Sequence, residues 1–234
     1  MRPFVPLIQL CNRRQILTLN QTNFSRYIKA NMSTSTQDLG KPSDPYKEAN
    51  LQKDVPLDEK VQDLGTFVEK CKFCMMATRI ASSGLIVSRC MALAGKENNG
   101  VDFIFHANTE SGKLDDLKSD SDINLGFLNS SGEWASISGK ADVVTDREQI
   151  KKWYSESLKA WMGDLEDGKH DGGPEDPRIC LIKVKAVTAQ YATSRKGLIG
   201  SAVEFAKGVA AGNPPQLNKL RHLDEEEINQ WRSK

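Results

Sequence analysis

The residues from Phe105 to Lys113 run from a predicted strand directly into a predicted helix, and the first turn of that helix carries Lys113. Free backbone N–H groups at a helix start carry partial positive charge, so a lysine there is unfavourable unless an anion lies between the two. A bound phosphate removes this conflict. The spacing therefore predicts a phosphate-binding turn.

A second cation, Arg89, lies in the middle of the predicted strand Leu85 to Leu93. Alternate side chains of a strand share one face, and the other residues on the face of Arg89 are apolar: Leu85, Val87, Met91 and Leu93. A buried guanidinium needs a partner, so we expect Arg89 and the turn from Asn108 to Lys113 to converge on one phosphate of a phosphorylated cofactor. Two alternatives stay open: Arg89 lies at a sheet edge with its charge in solvent, or Lys113 is an ordinary surface lysine.

Composition narrows the class of protein. The chain has 234 residues and a net charge of +1, which suits one globular domain with extensions and does not favour a nucleic-acid partner. Its apolar runs are far shorter than the roughly 20 residues that cross a bilayer, so we expect no membrane partner.

The five cysteines form no regular framework, and their odd number fits a reducing compartment. Cys71 and Cys74 make a CxxC pair, which raises the alternatives of a zinc site or a redox dithiol. Without a second pair or a histidine at ligand spacing, we favour Cys71 ending a helix and Cys74 beginning a strand. The acidic loop Asp164 to Asp176, which contains His170, also resembles a metal site, but we interpret it as a solvated loop and expect no metal.

Charge is uneven along the chain. Residues 1–37 contain five basic side chains and no acidic one, a composition typical of a mitochondrial presequence. The remainder has 27 basic and 31 acidic residues, a net charge of −4. The alternative is translation from Met32, which predicts a cytoplasmic protein. Residues 38–56 form a predicted linker.

The predicted folded domain spans residues 57–192. Apolar residues at helical spacing predict a first helix from Leu57 to Cys71. Strands are predicted at Phe73 to Ala81, Leu85 to Ala94, Val101 to Ala107, Ile123 to Asn129, Glu133 to Thr145 and Arg178 to Ala192. Consecutive antiparallel strands imply a meander or a closed barrel.

Two helices interrupt these strands, one from Gly112 to Ser119 and one from Asp146 to Trp161. We expect Trp153, Leu158 and Trp161 to lie on the buried side of the second helix. Residues 193–234 are predicted to contain one helix, to about Ala211, and then a charged tail. Several large aromatic side chains for one barrel of this size favour a dimer.

The order of several motifs carries a family resemblance. These are Val87-Ser88-Arg89-Cys90-Met91, His106-Ala107-Asn108-Thr109, the Ser111-Gly112-Lys113 turn, Trp134-Ala135-Ser136-Ile137-Ser138-Gly139, a Trp-rich helix and Leu181-Ile182-Lys183-Val184. Together they resemble the FMN-binding split barrels related to pyridoxamine 5'-phosphate oxidase, in particular the general stress protein branch with its fungal blue-light-inducible members. The resemblance implies a mainly β fold with flanking helices, built as a six-stranded antiparallel split β-barrel.

The resemblance also implies a flavin site. Residues at the matching positions that would bind the flavin phosphate and ribityl chain are Ser88, Arg89, Cys90, Met91, His106, Asn108, Thr109, Ser111 and Lys113. Trp134 stands where the oxidases carry a glutamine near the flavin, and its alternative is an aromatic side chain of the dimer core. Family members are homodimers with two FMN sites at the subunit interface.

The chain departs from the oxidases after Ala192, where Thr193 to Leu198 replaces the segment that grips the pyridoxal phosphate substrate. We therefore expect no oxidation of vitamin B6. No Ser-His-Asp set, carboxylate pair or catalytic cysteine stands out, so FMN would carry any chemistry. Two functions stay open: a flavin-dependent oxidoreductase of a small molecule, with a nicotinamide donor possible, and a non-catalytic flavin-binding stress protein that stores flavin or reports redox state. A third alternative exchanges FMN for a deazaflavin or haem.

Overall fold

The computed structural model describes residues 44–195 and 198–234. The basic segment 1–37 and residues 38–43 of the predicted linker lie outside the described residues. The helices are α1 (Pro45–Asn50), α2 (Leu57–Cys71), α3 (Gly112–Ser119), α4 (Arg147–Trp153), α5 (Leu158–Met162), α6 (Leu198–Ala211) and α7 (Glu225–Arg232). The strands are β1 (Phe73–Arg79), β2 (Ile86–Glu97), β3 (Asp102–Asn108), β4 (Asp122–Leu128), β5 (Trp134–Val144), β6 (Ile179–Ser194) and β7 (Asn218–Leu223).

Six of the strands close into an antiparallel barrel. The strands follow one another in the order β3-β2-β1-β4-β5-β6, and a further pairing of β3 with β6 closes the ring. The 16-residue β6 is long enough to serve two partners along one edge. Its first part pairs with β3, and its last part, from Ala189 to Ser194, pairs with β7 outside the barrel. The predicted six-stranded antiparallel barrel with flanking helices is confirmed.

Alternating side chains fill the barrel. Phe103, Leu125 and Ile137 are buried in one cluster with apolar residues of α2 and α3, among them Phe67 and Leu114. Each such side chain contributes about 1.5–3 kcal/mol when it leaves water, so this cluster fixes both helices against the strands. No described helix is both long and apolar enough to span a bilayer.

The predicted helix from Asp146 to Trp161 is wrong as one element, because it breaks into α4 and α5 at Tyr154. The backbone of Tyr154 is extended, and its hydroxyl donates to the carbonyl of Gly172 at 3.1 Å. Trp153 packs over β2 where a Cβ at Gly95 would collide with the indole ring. Helix α5 packs Leu158 and Met162 against a second core cluster, which consists of Ile104, Ile150, Ile179 and Leu181. Trp161, predicted to be buried, lies on the other side of α5 and is 82% exposed.

The predicted charged tail contains two ordered elements, β7 and α7, which pack against the barrel. Arg221 of β7 is buried, and it pairs with Glu59 and with Asp63 of α2, the latter at 2.8 Å. A capping box of Asp224 and Glu227 begins α7. The sequence pattern predicts a solvated tail, because the carboxylates of Glu59 and Asp63 that pair with Arg221 lie far from it along the chain.

The interpretation of the CxxC pair is confirmed. Cys71 is the last residue of α2, and Cys74 is buried in β1. Burial is the largest effect on the Cys74 thiol and raises its pKa to about 12, so the reactive thiolate is disfavoured. Among the described residues no group of histidine, cysteine and carboxylate side chains has the arrangement of a metal site.

Candidate functional site

The start of helix α3 is built to present its first turn to solvent. Ser111 is the N-cap, and its hydroxyl accepts from the backbone N–H of Lys113 at 3.4 Å. Gly112 follows, and a Cβ at this position would meet no atom within 4 Å. An open space therefore borders the positive end of an eight-residue helix, which is where an anion is stabilised.

Lys113 is half-buried beside another cation. Burial is the main cause that lowers the pKa of Lys113, and the positive charge of Arg89 lowers it further. The buried Cys180 thiol has a weak opposite effect. No ion pair joins Lys113 to a residue within 44–195 or 198–234. A desolvated ammonium group beside a guanidinium and a helix N-terminus is unfavourable, and a bound anion relieves all three conflicts.

Arg89 has a partner that the sequence did not reveal. Its Nη2 donates to the carboxylate of Asp116 in α3 at 3.0 Å, and its Nη1 donates to the hydroxyl of Thr78 at 2.9 Å. Burial alone would raise the pKa of Asp116, but hydrogen bonds from the Ala81 N–H and from Arg89 outweigh it and lower the pKa. Asp116 therefore supplies one partner for the guanidinium of Arg89 and ties the strand to the helix.

We name Thr78, Arg89, Ser111, Lys113 and Asp116 the Arg89–Lys113 site. Both alternatives to a phosphate site lose support, because Arg89 lies inside the sheet and Lys113 is not fully solvated. The site holds two cations and one carboxylate, so it keeps one positive charge uncompensated. With the N–H groups of the first turn of α3, this arrangement suits a phosphate monoester.

The turn between β3 and α3 places two further predicted residues beside this site. The side chain of Asn108 accepts from the N–H of Glu110 at 2.8 Å and shapes the turn. The N–H of Thr109 donates to the carbonyl of Arg178 at 2.7 Å, which fixes the turn against β6. Asn108, through its side chain, and Thr109, through its backbone, therefore hold the turn between β3 and α3 in place.

Of the three other predicted residues of β2, two do not share the direction of Arg89. Met91 points inward with Arg89, but it lies in the core. Ser88 and Cys90 are exposed on the opposite side of the strand. Side chains alternate between the two faces of a strand, so neighbouring residues of the motif from Val87 to Met91 face different environments.

His106 lies on the outside of β3, under helix α4. Burial lowers the pKa of His106, and a hydrogen bond with the backbone of Trp153 acts in the opposite direction. Its Nε2 is buried without a hydrogen-bond partner among the described atoms. The structure therefore places His106 next to the second core cluster and not with Arg89, which faces the barrel interior.

Trp134 begins β5 and pairs with Leu128 of β4 and Ala192 of β6. Its side chain is half-buried on the outside of the barrel. Three strand spacings, about 14 Å, separate β5 from the strand that carries Arg89. The structure does not bring Trp134 to the Arg89–Lys113 site of the same chain.

The acidic loop folds around one buried ion pair. Asp176 is buried and bonded to Arg178, whose guanidinium also donates to the carbonyls of Met162 and Gly163. His170 pairs with Asp167 at the surface. Most of the loop is solvated as predicted, but Gly172, Gly173 and Asp176 are buried. The carboxylate of Asp176 is paired with Arg178 and accepts a hydrogen bond from the Gly172 N–H.

A closed six-stranded antiparallel barrel with flanking helices and a cationic turn between its third strand and the following helix defines a split-barrel protein. The chain belongs to the pyridoxamine 5'-phosphate oxidase-like family, whose model matches residues 59–216. It is 56% identical to protein bli-3 of Neurospora crassa over 201 residues, which cover 85% of this chain and 96% of that protein.

Solved structures with 17% identity share the fold. A general stress protein 26 from Jannaschia sp. CCS1 has a TM-score of 0.54 over 71% of this chain and 99% of its own. A Clostridium acetobutylicum protein related to general stress protein 26 of Bacillus subtilis has a TM-score of 0.50 over 58% of this chain and 89% of its own. The family model and the Neurospora crassa relative thus confirm the predicted family, and the solved structures confirm its fold.

Proposed function

We propose that this protein binds FMN and holds its phosphate at the Arg89–Lys113 site. The observation that carries the proposal is Lys113: a half-buried cation, beside Arg89 and at the open start of α3. Family membership supports a flavin as the ligand. The site residues fit the group, because a phosphate dianion would accept hydrogen bonds from Lys113, from Arg89 and from the first turn of α3.

The absorbance spectrum of the purified protein tests this proposal. A flavin spectrum, or its appearance after addition of FMN and removal of the excess, is the expected result. Riboflavin, which lacks the phosphate, should bind much more weakly. A deazaflavin or haem spectrum, or equal affinities for FMN and riboflavin, would contradict the proposal.

We infer that the flavin makes the protein an oxidoreductase of a small molecule that acts in a stress or light response. Bound FMN would supply electron transfer, while the chain supplies binding and electrostatics. The relatives that share the fold are general stress proteins, which supports the stress assignment. The absence of a matching substrate-gripping segment after Ala192 speaks against pyridoxamine phosphate oxidation.

Anaerobic reduction separates this function from its alternative, flavin storage or redox reporting. An oxidoreductase with a nicotinamide donor should bleach its flavin absorbance when NADH or NADPH is added. A storage protein should be reduced slowly or not at all. Dithionite serves as the control that the bound flavin is reducible.

We also propose a homodimer whose two flavin sites lie at the subunit interface. Support comes from the outside of β2, β1, β4 and β5, which we name the outer face. Its central outward residues are Ser88, Cys90, Ala92, Phe73, Met75, Ala77, Asn124, Gly126, Leu128, Trp134, Ser136 and Ser138. None is charged, whereas a solvated sheet face is normally polar and charged. In such a dimer Trp134 would serve the flavin of the partner.

A further inference from the structure

Residues 44–52, which we name the N-terminal strap, belong to the predicted linker but fold against β7. Asp44 caps helix α1, where its carboxylate accepts from the N–H of Tyr46 at 2.9 Å. The N–H of Gln52 donates to the carbonyl of Leu220 at 2.9 Å, and Leu51 forms a parallel bridge with Leu220. Because β6 pairs with the other edge of β7, the strap lies along the edge that β6 leaves open.

Asn50 holds the strap in place, and its side chain is fully buried. Its amide group donates to the carbonyls of Tyr46 at 2.9 Å and Pro215 at 3.1 Å, and its side-chain oxygen accepts from the N–H of Asn218 at 2.8 Å. Asn218 and Leu220 are two residues apart in β7, so their backbone groups face the same edge. The strap therefore occupies two successive bonding positions of that edge, one with a side chain and one with its backbone.

Strand β7 itself has few of the features that protect a sheet edge. Among the described strands it has a single strand partner, β6, and its register with Ala189 to Ser194 is regular. Its six residues are an ordinary strand length and include no proline. Its lysine and arginine, Lys219 and Arg221, both pair with Asp63 of α2. A regular edge without proline, bulge or unpaired lysine is a template for another strand.

Hydrogen bonds hold the strap, and the barrel core does not include it. Of the described residues, neither core cluster contains one from 44–52. Tyr46 is 41% exposed, and its hydroxyl accepts from the side chain of Asn218 at 2.7 Å. Helix α1 has six residues, whereas an isolated helix needs about 12–15 to be even marginally stable in water. The strap can therefore detach while the barrel core stays closed.

We propose that the N-terminal strap is an internal guard that occupies the strand-accepting edge of β7, and that its release lets the β7 edge of a second copy add there. Two such edges related by a two-fold axis pair antiparallel, so the backbone groups of Asn218 and Leu220 would meet the same region of the other chain. A second copy is the partner we infer because it supplies an identical released edge at equal concentration. The guard depends neither on the flavin nor on the outer face.

A double variant of the full chain, Asn50→Ala with Gln52→Pro, releases the strap. Alanine removes the three side-chain hydrogen bonds, and proline lacks the N–H that reaches Leu220. Leu51 is already extended, as the residue before a proline has to be. Light scattering over a micromolar dilution series should give the variant at least about twice the mass of the parent particle, because one two-fold contact doubles it. Gln52→Pro alone, which keeps the Asn50 contacts, should give a smaller gain in mass and serves as the test if the double variant does not fold.

Asn129→Ala is the matched control. The side chain of Asn129 also makes three hydrogen bonds, with the carboxylate of Glu133 and with the N–H groups of Ser131 and Glu133, but it lies in the turn between β4 and β5. This variant loses a comparable set of contacts and leaves the edge of β7 covered. It should keep the mass of the parent particle.

A synthetic peptide of residues 44–53 tests the guard in trans. At millimolar concentration, comparable with the effective concentration of a tethered segment, it should return the double variant to the parent mass. The same peptide with both substitutions should not. The guard is overturned if the double variant keeps the parent mass. It is also overturned if Asn129→Ala gains mass equally, since destabilisation alone would then cause association, or if the native peptide does not reverse the gain, since the contact would then lie elsewhere.

Discussion

Replacing Lys113 by methionine should weaken FMN binding without weakening the fold. Methionine keeps an unbranched apolar stem and removes the charge. A hydrogen bond to a charged group contributes about 1.5–3 kcal/mol, so the loss of Lys113 should raise the dissociation constant for FMN roughly 10- to 150-fold. Because burial and Arg89 lower the pKa of Lys113, its charge is unfavourable in the cofactor-free protein. The free energy of unfolding of the cofactor-free variant should therefore be unchanged or higher.

The assay is a titration of both flavins into both proteins, followed by the change in flavin fluorescence. Parent and Lys113→Met should bind riboflavin alike, since riboflavin has no phosphate for Lys113 to contact. The loss with FMN alone isolates the interaction between the ammonium group and the phosphate. Lys118→Met is the matched control, because Lys118 lies on the same helix with an exposed side chain that pairs with Asp115.

Two results would refute this reasoning. If Lys113→Met binds FMN as tightly as the parent, the phosphate lies elsewhere. If the variant loses affinity for FMN and for riboflavin equally, Lys113 supports the pocket and does not contact the phosphate. Urea unfolding of the cofactor-free proteins separates both results from simple destabilisation.

Three other predictions concern the Arg89–Asp116 pair, the buried His222 and the proposed dimer. Arg89→Ala should lower the free energy of unfolding by about 2 kcal/mol in urea titrations, because it leaves the buried Asp116 carboxylate without a hydrogen-bonded cation; a double variant with Asp116→Asn should recover part of this loss. Burial lowers the pKa of His222 below its unfolded value of about 6.5, so the unfolded chain binds the extra proton first and stability should fall as pH drops below about 6.5; a His222→Phe variant with the same pH dependence would exclude this source. FMN should raise the thermal midpoint, dilution should release flavin, and Trp134→Ala should loosen both dimer and flavin, whereas a tryptophan with only a structural role would loosen the dimer alone.

Local patterns were sufficient to predict much of the fold and part of the site. The Ser111-Gly112-Lys113 turn was predictable because a cap, a glycine and a charge at a helix start interact within one turn. The barrel strands were predictable because alternation and turn residues act over a few positions. Asp116 was not predictable as the partner of Arg89, since its carboxylate reads as one more surface charge until α3 is laid against β2.

Contacts between distant residues explain the remaining differences. The break before α5 depends on the hydroxyl of Tyr154 reaching Gly172, which leaves no signal in the helical spacing around Trp161. The burial of β7 depends on Arg221 meeting carboxylates of α2. In both cases the residue looks polar or amphipathic alone, and its environment is decided by a partner that sequence spacing does not reveal.

Because Asp116 pairs with Arg89 and not with Lys113, the two cations of the site have different roles. Asp116 holds Arg89 at the edge of the site, so the guanidinium is in place before any phosphate arrives. Asp116 also cancels much of its charge, which leaves Lys113 as the main uncompensated attraction for an anion. A site with two free cations would bind any phosphate more tightly, but it would be less stable while empty because like charges would face each other. The carboxylate therefore stabilises the empty protein at some cost in affinity. In the proposed FMN complex, the rest of the flavin would supply the binding energy and the selectivity that the phosphate contact alone does not.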